Sequence, residues 1–286
     1  MTGDGGYATA GRRDEVLDAM RWLTSAFEWQ SRAVMGRHFR LYMSGWHIKI
    51  LPPALEPVTM LTAFGFGLGA YVSSIEWRER DVSYLSFVAP GMLAYAAFMT
   101  PFFQTLYAAF IRMHYQRTWE GQLTTQIEMP HVVWGEIFWA AALGTMYAGI
   151  VALVLTVFRI LGLLTLDLGW LPLVIPLAFV SGCAFAAIGL FFTGVAPTID
   201  HMNLPVFLLV LPLAFASATY FPLAHPVLAA VAVVNPLYHL AEGLRGLLLG
   251  GSALPHLAVL VAMSVIIVCV MVPLDMRLLR KRVLGE

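Results

Sequence analysis

Runs of apolar residues, each long enough to cross a bilayer and cut apart by short polar stretches, decide most of what this chain can become. They lie at 54–72, 84–110, 132–158, 171–195, 203–222 and 254–274. A helix needs roughly 20 apolar residues to cross the hydrocarbon core. A backbone in hydrocarbon must also satisfy its own hydrogen bonds, which leaves helices or closed barrels. Barrel strands alternate polar and apolar residues over roughly 10 positions, and these runs do not. The pattern predicts an all-α, polytopic membrane protein with six transmembrane helices. With 12% charged residues and a mean hydropathy of +0.77, the chain carries about half the charge of a soluble domain.

Lysine and arginine set the orientation. One side of the predicted membrane holds Arg12, Arg13, Arg21, Arg32, Arg37, Arg40 and Lys49, then Arg112 and Arg117, then Arg277, Arg280, Lys281 and Arg282. The other side holds Arg78, Arg80, Arg159 and Arg245. The split of 13 (7 + 2 + 4) to 4 predicts that both termini are cytoplasmic. No apolar core with a cleavage site occurs in the first fifty residues, so the first span is expected to remain in the mature protein.

The organisation expected is a cytoplasmic N-terminus over 1–50, a membrane domain over 51–275 and a basic tail over 276–286. Within the N-terminus, 14–46 reads as an amphipathic helix in the membrane interface. Val16, Leu17, Met20, Leu23 and Phe27 recur at helical spacing, with Arg21, Glu28, Arg32, Arg37 and Arg40 interleaved. Pro101, Pro205 and Pro212 fall inside predicted spans and are expected to kink them.

Searches for chemistry exclude more than they find. A phosphate-binding Walker loop needs Gly-Lys, whereas Lys49 and Lys281 are followed by Ile50 and Arg282. No metalloprotease, serine-hydrolase or dithiol motif occurs. Cys183 and Cys269 lie inside apolar runs and read as buried small hydrophobes. The formal net charge of zero implies no nucleic-acid partner. Gly65-Phe66-Gly67-Leu68-Gly69 superficially resembles a dinucleotide loop but lies within an apolar span. Gly65 and Gly69 instead form a small-residue face for helix approach.

Glu56 and Glu136 sit near the cytoplasmic ends of their spans, where pairing with an interfacial arginine or water is the favoured reading. Tyr95, Phe98 and Phe102 share one helical face. They form a candidate substrate pathway, although aromatic stripes more often pack helices. The polar stretch 115–130 bridges two spans. Asn235-Pro236-Leu237-Tyr238-His239-Leu240-Ala241-Glu242-Gly243-Leu244-Arg245-Gly246 places an arginine beside the membrane, with Glu242 and Arg245 spaced to pair.

Four ordered stretches together resemble the permeases of the type-2 ATP-binding-cassette (ABC-2) exporter family. They are Leu55-Glu56-Pro57 leading into Phe64–Gly69, then Tyr84–Gly91, then Arg117–Leu123 running to Met129-Pro130, and Tyr220–Leu223 running to Asn235–Gly246. The subgroup resembled exports nodulation factors or daunorubicin-like antibiotics. The resemblance implies one half of a homodimeric pore in the bacterial inner membrane, surrounded by lipid. A separate ABC ATPase would bind ATP and Mg, and the chain itself would bind no cofactor or metal.

Arg117, Thr118, Trp119, Glu120, Gly121, Gln122 and Leu123 would form the coupling helix docked on that ATPase. The 14–46 helix would match the family's connecting helix. Re-entrant extracellular helices over 223–250 would close an outer gate with Asn235, Pro236, Tyr238, Glu242 and Arg245. The family often carries a basic Gly-Thr stretch where this chain reads Thr118-Trp119-Glu120-Gly121, which leaves the partner's identity open. The implied cargo is a lipo-oligosaccharide or glycolipid, with hydrophobic antibiotics as the nearest alternative. A gradient-coupled secondary transporter predicts transport without an ATPase, and the lack of a membrane-centre carboxylate pair argues against it. A membrane enzyme lacks any recognisable catalytic set.

Overall fold

The computed structural model describes residues 22–72 and 74–285. Val16, Leu17, Met20 and Arg21 of the expected amphipathic helix lie outside the described residues. Its remainder forms α1 (Trp29–Met43) after a 3-10 turn at Ser25–Phe27. The helix presents Val34, His38 and Tyr42 inward and leaves Trp29 and Phe39 exposed, as is Phe27 in the turn before it.

Among the described residues, four helices are long and apolar enough to cross a membrane, and a bent pair passes the same test together. Naming α2 (Leu51–Thr62) first, two of the four are α3 (Tyr84–Tyr115) and, after the short α4 (Thr118–Leu123), α5 (Met129–Ile160). They are followed by α6 (Leu171–Val195), the shorter apolar α7 (Ile199–Phe215), and the bent pair α8 (Pro226–Val233) and α9 (Pro236–Leu248). The last long helix is α10 (Leu254–Leu284). Helices α3, α5 and α6 pack mutually, with α10 against α6, α9 against α3 and α10, and α1 against the start of α5.

The sequence predicts a continuous span at 54–72, but α2 gives way to a π turn at Ala63–Gly67 and a 3-10 turn at Leu68–Ala70. Likewise the run expected at 203–222 appears as α7, which starts earlier and stops at Phe215. Prolines precede two further irregularities, inside α3 and α7. The π turn at Gln104–Ala108 follows Pro101, and the one at Val206–Val210 follows Pro205, since each proline removes a donor from the ladder. Gly65, expected on a helix-approach face, sits against the Leu85 side chain of the same chain.

The expectation of an all-α chain needs one amendment. Strands β1 (Ser74–Trp77) and β2 (Arg80–Ser83) form an antiparallel hairpin, Trp77 opposite Arg80. Its two turn residues, Arg78 and Glu79, both take positive φ of 50° and 62°, as the tightest hairpin turns require. Local hydrophobic periodicity gives no sign of a hairpin this short.

Candidate functional site

Among the described residues, buried charged side chains form two networks at opposite ends of the helix bundle, with the buried Asp275 of α10 bonded to neither. At one end the gathering point is Glu136, about two turns into α5 and fully buried. A carboxylate taken out of water must find charge and hydrogen-bond partners. Glu136 finds them on three other elements. Arg112, in the last π turn of α3, donates from Nε at 3.0 Å and from Nη2 at 2.5 Å, a two-pronged guanidinium–carboxylate pair. Trp119 of α4 donates from Nε1 to Oε1 at 2.9 Å. His38 of α1 brings Nε2 to 3.2 Å of the same oxygen and stacks on Trp139 of α5.

Local sequence explains why these elements meet there. Gly135 lets α1 approach, because a Cβ on it would come within 2.5 Å of the Val34 side chain. His131 Nδ1 accepts from the Glu128 amide at 2.9 Å, which leaves Nε2 to donate to Glu28 at 2.8 Å. That pairing ties the start of α1 to the start of α5. Trp22 stacks on Trp134 and accepts its indole hydrogen at the main-chain oxygen.

The expected coupling residues divide cleanly on α4. Arg117 takes left-handed φ of 49° just before the helix. Trp119 is buried, and Thr118, Gln122 and Leu123 are half-buried. Arg117, Glu120 and Gly121 are exposed. The helix thus offers a polar outer face and roots itself inward through one indole. Through Trp119 the helix meets the buried carboxylate of Glu136 on α5, which Arg112 of α3 and His38 of α1 also face.

At the other end the gathering point is Arg245 of α9, with no exposed surface. Its Nε donates to Phe87 O at 2.9 Å, its Nη2 to Ala218 O and to Thr219 O, and its Nη1 to Glu242 at 2.5 Å. The guanidinium lies 3.8 Å from the centre of the Phe87 ring. Glu242 in turn accepts from Trp77 Nε1 at 3.1 Å and from Arg78 Nη2 at 3.4 Å. Asn235 donates to Leu213 O and Ala216 O and caps α9 by accepting from Leu237 N.

Arg245 and Asn235 therefore satisfy the backbone carbonyls released where α7 stops, the condition for irregular backbone inside a membrane domain. Gly91 makes room for this turn, since a Cβ there would collide with Thr219 O. Pro236 opens α9 and Tyr238 makes edge contacts with His239 and His256. Helices α8 and α9 meet at 93°.

Of the candidate pathway residues, Phe98 and Phe102 are buried inside the chain, Phe98 in ring contact with Phe185. Tyr95 alone of the three lines a surface groove, beside Tyr220 and the exposed Glu56. Sequence reasoning missed His38, Arg112, Trp77, Arg78 and Phe87 as partners. The signal available was opposite charge at the same predicted depth. Arg112 ends one run near the side on which Glu136 begins the next, and Arg78 shares its side with Glu242 and Arg245.

With this geometry in place, comparison with known proteins is informative. A family described as ABC-2 type transporter matches residues 30–249. Nodulation protein J of Rhizobium leguminosarum bv. viciae is 33% identical over 261 residues, covering 88% of this chain and 94% of that protein. Nodulation protein J of Rhizobium meliloti (strain 1021) is 30% identical over 263 residues, covering 90% and 95%. That of Sinorhizobium fredii (strain NBRC 101917 / NGR234) is 31% identical over 245 residues, covering 83% and 89%.

Proposed function

The chain belongs to the ABC-2 type transporter family, and from that premise we propose that it exports a lipid-like amphiphile, a lipo-oligosaccharide or glycolipid, as half of a homodimeric pore. Membership makes it the membrane-spanning permease subunit of an ABC exporter that works with an ABC ATPase. The proposed cargo rests on one observation, the match to proteins named nodulation protein J over most of both lengths.

In this reading six crossings of the bacterial inner membrane are made by α3, α5, α6, α7, α10 and the segment from α2 through its π turn. Both termini and α4 lie in the cytoplasm, as the 13-to-4 basic split favours. The pair α8–α9 enters from outside and turns back, closing an outer gate through Asn235, Pro236, Tyr238, Glu242 and Arg245. ATP and Mg bind on the partner ATPase, whose closure pushes α4. Trp119 hands that push to Glu136, so that α1, α3 and α5 move as a unit. The two copies then tilt and open a route for cargo. The groove beside Tyr95 is where an aromatic face meets that route, while Phe98 and Phe102 hold α3 against α6.

Export itself is the test. Cells lacking the chain should retain acylated oligosaccharides that wild-type cells release, as read by mass spectrometry of cell and medium fractions, and the wild-type chain should restore release. Unchanged release, with new sensitivity to hydrophobic antibiotics, would replace the cargo by that second class.

A further inference from the structure

Beside the Glu136 cluster lies a cavity of about 450 Å³, walled by α1, α3, α5 and the turn that follows α1. Its chemistry is one-sided. Among the described residues, Arg37, Lys49 and Arg112 line it and no carboxylate does. Arg112 is committed to Glu136, but the other two cations have capacity to spare. The Arg37 Nη1 atom is buried with no hydrogen-bond partner among the described residues. Lys49 Nζ donates to Leu41 O at 2.7 Å and Tyr42 O at 3.2 Å. An ammonium has three donors, so one remains.

Besides His38, Gln104 and Gln116, the rest of the wall is aromatic and aliphatic, with Tyr42, Trp139 and Tyr147 beside Leu143 and Ala108. Helix α1 beside it exposes Phe39, Leu41 and Met43, and the turn that follows exposes Trp46. Such an apolar, aromatic-rich surface on an amphipathic helix sits at headgroup depth.

We propose that this cavity is a binding site for the phosphate-type anionic headgroup of a membrane amphiphile, with Arg37 and Lys49 taking the anion and the Leu143–Ala108 side taking the first carbons of its chain. A guanidinium matches phosphate oxygens two at a time, and the ammonium adds a point charge. The site stands on the chain's place in the membrane and does not require the cargo proposed above. Its anion belongs either to a bilayer phospholipid or to the exported amphiphile.

The probe is dioleoyl phosphatidylglycerol, with dioleoyl phosphatidylcholine for comparison, added to the purified full-length chain with its ATPase and read as retained lipid by native mass spectrometry. Wild type should retain phosphatidylglycerol selectively. Arg37→Gln should lower that retention roughly tenfold, the size of one lost charge-assisted bond. Arg40→Gln removes the same charge from an exposed position of α1 and should change retention less than about twofold. Ala108→Leu narrows the cavity without touching a charge and should lower retention as Arg37→Gln does, which keeps the test open if either variant fails to fold.

Adding lipid extract from cells that lack the chain separates the sources. Displacement of phosphatidylglycerol assigns the site to the accumulated cargo, and persistence assigns it to the bilayer lipid. Equal retention of the two lipids by wild type, or equal effects of Arg37→Gln and Arg40→Gln, would overturn the proposal. Either result would leave the export test above unaffected.

Discussion

Glu136 is held by two bonds from Arg112 and one from Trp119, with His38 alongside. Removing one partner of a buried ion pair leaves an uncompensated charge, at a cost of about 3–5 kcal/mol. Glu136→Ala should therefore lower the thermal stability of the purified chain sharply in a detergent melting assay. Trp119→Phe removes only a neutral donor, and about 1 kcal/mol with it. Its stability should be close to wild type while export falls, because the link from α4 to α5 is broken. Wild-type export by Trp119→Phe would show that the indole bond does not carry the coupling.

Gly135→Ala places a methyl group against Val34. Overpacking of this kind costs about 1–3 kcal/mol, and the loss should be relieved by Val34→Ala in the same chain, measured by the same melting assay. Glu136 is visible in the sequence as a carboxylate in a span, for which pairing with an interfacial arginine or water is the favoured reading. Which arginine, and the presence of an indole and an imidazole, depend on contacts across more than 15 residues of chain that no local pattern encodes.

Arg245 works on elements rather than on one partner. It joins α9 to the start of α3 and to the irregular turn after α7. Arg245→Lys keeps the charge but has no planar fork to reach Phe87 O, Thr219 O and Glu242 together. The turn at 216–219 and the α8–α9 bend should loosen, seen as faster hydrogen exchange there with α5 and α6 unchanged. Uniform protection across the chain would contradict that bracing role.

The long elements were the legible ones. Helices α3, α5, α6 and α10 follow from apolar runs that have no other stable form in a bilayer. The ends of α2 and α7 were not legible. Ala216–Tyr220 carries no charge, glycine or proline, yet the helix stops where Asn235 and Arg245, distant in sequence, satisfy the freed carbonyls. The hairpin Ser74–Ser83 escaped for a related reason, since its tethers, Arg78 to Ser252 O and Arg80 to Gly250 O, come from far along the chain.

For the molecule as a whole, one end gathers around Glu136 and the other around Arg245, with α3 running between them. Arg112 near its end is bound to Glu136, and Phe87 near its start is bound to Arg245. A displacement of α4 that shifts α3 therefore bears on both clusters. The resemblance in Arg117–Leu123 and Asn235–Gly246 pointed to these two places, although the aromatic stripe proved to be two packing residues and one groove residue.

The docking of α4 on the ATPase is testable by photo-cross-linking in native membranes, with a benzophenone amino acid at Glu120 and, for comparison, at Tyr71. The arrangement proposed here predicts a stoichiometric adduct between position 120 and an ABC ATPase, and none from position 71. Adducts from position 120 that contain only lipid or unrelated protein, or an ATPase adduct from position 71, would contradict it.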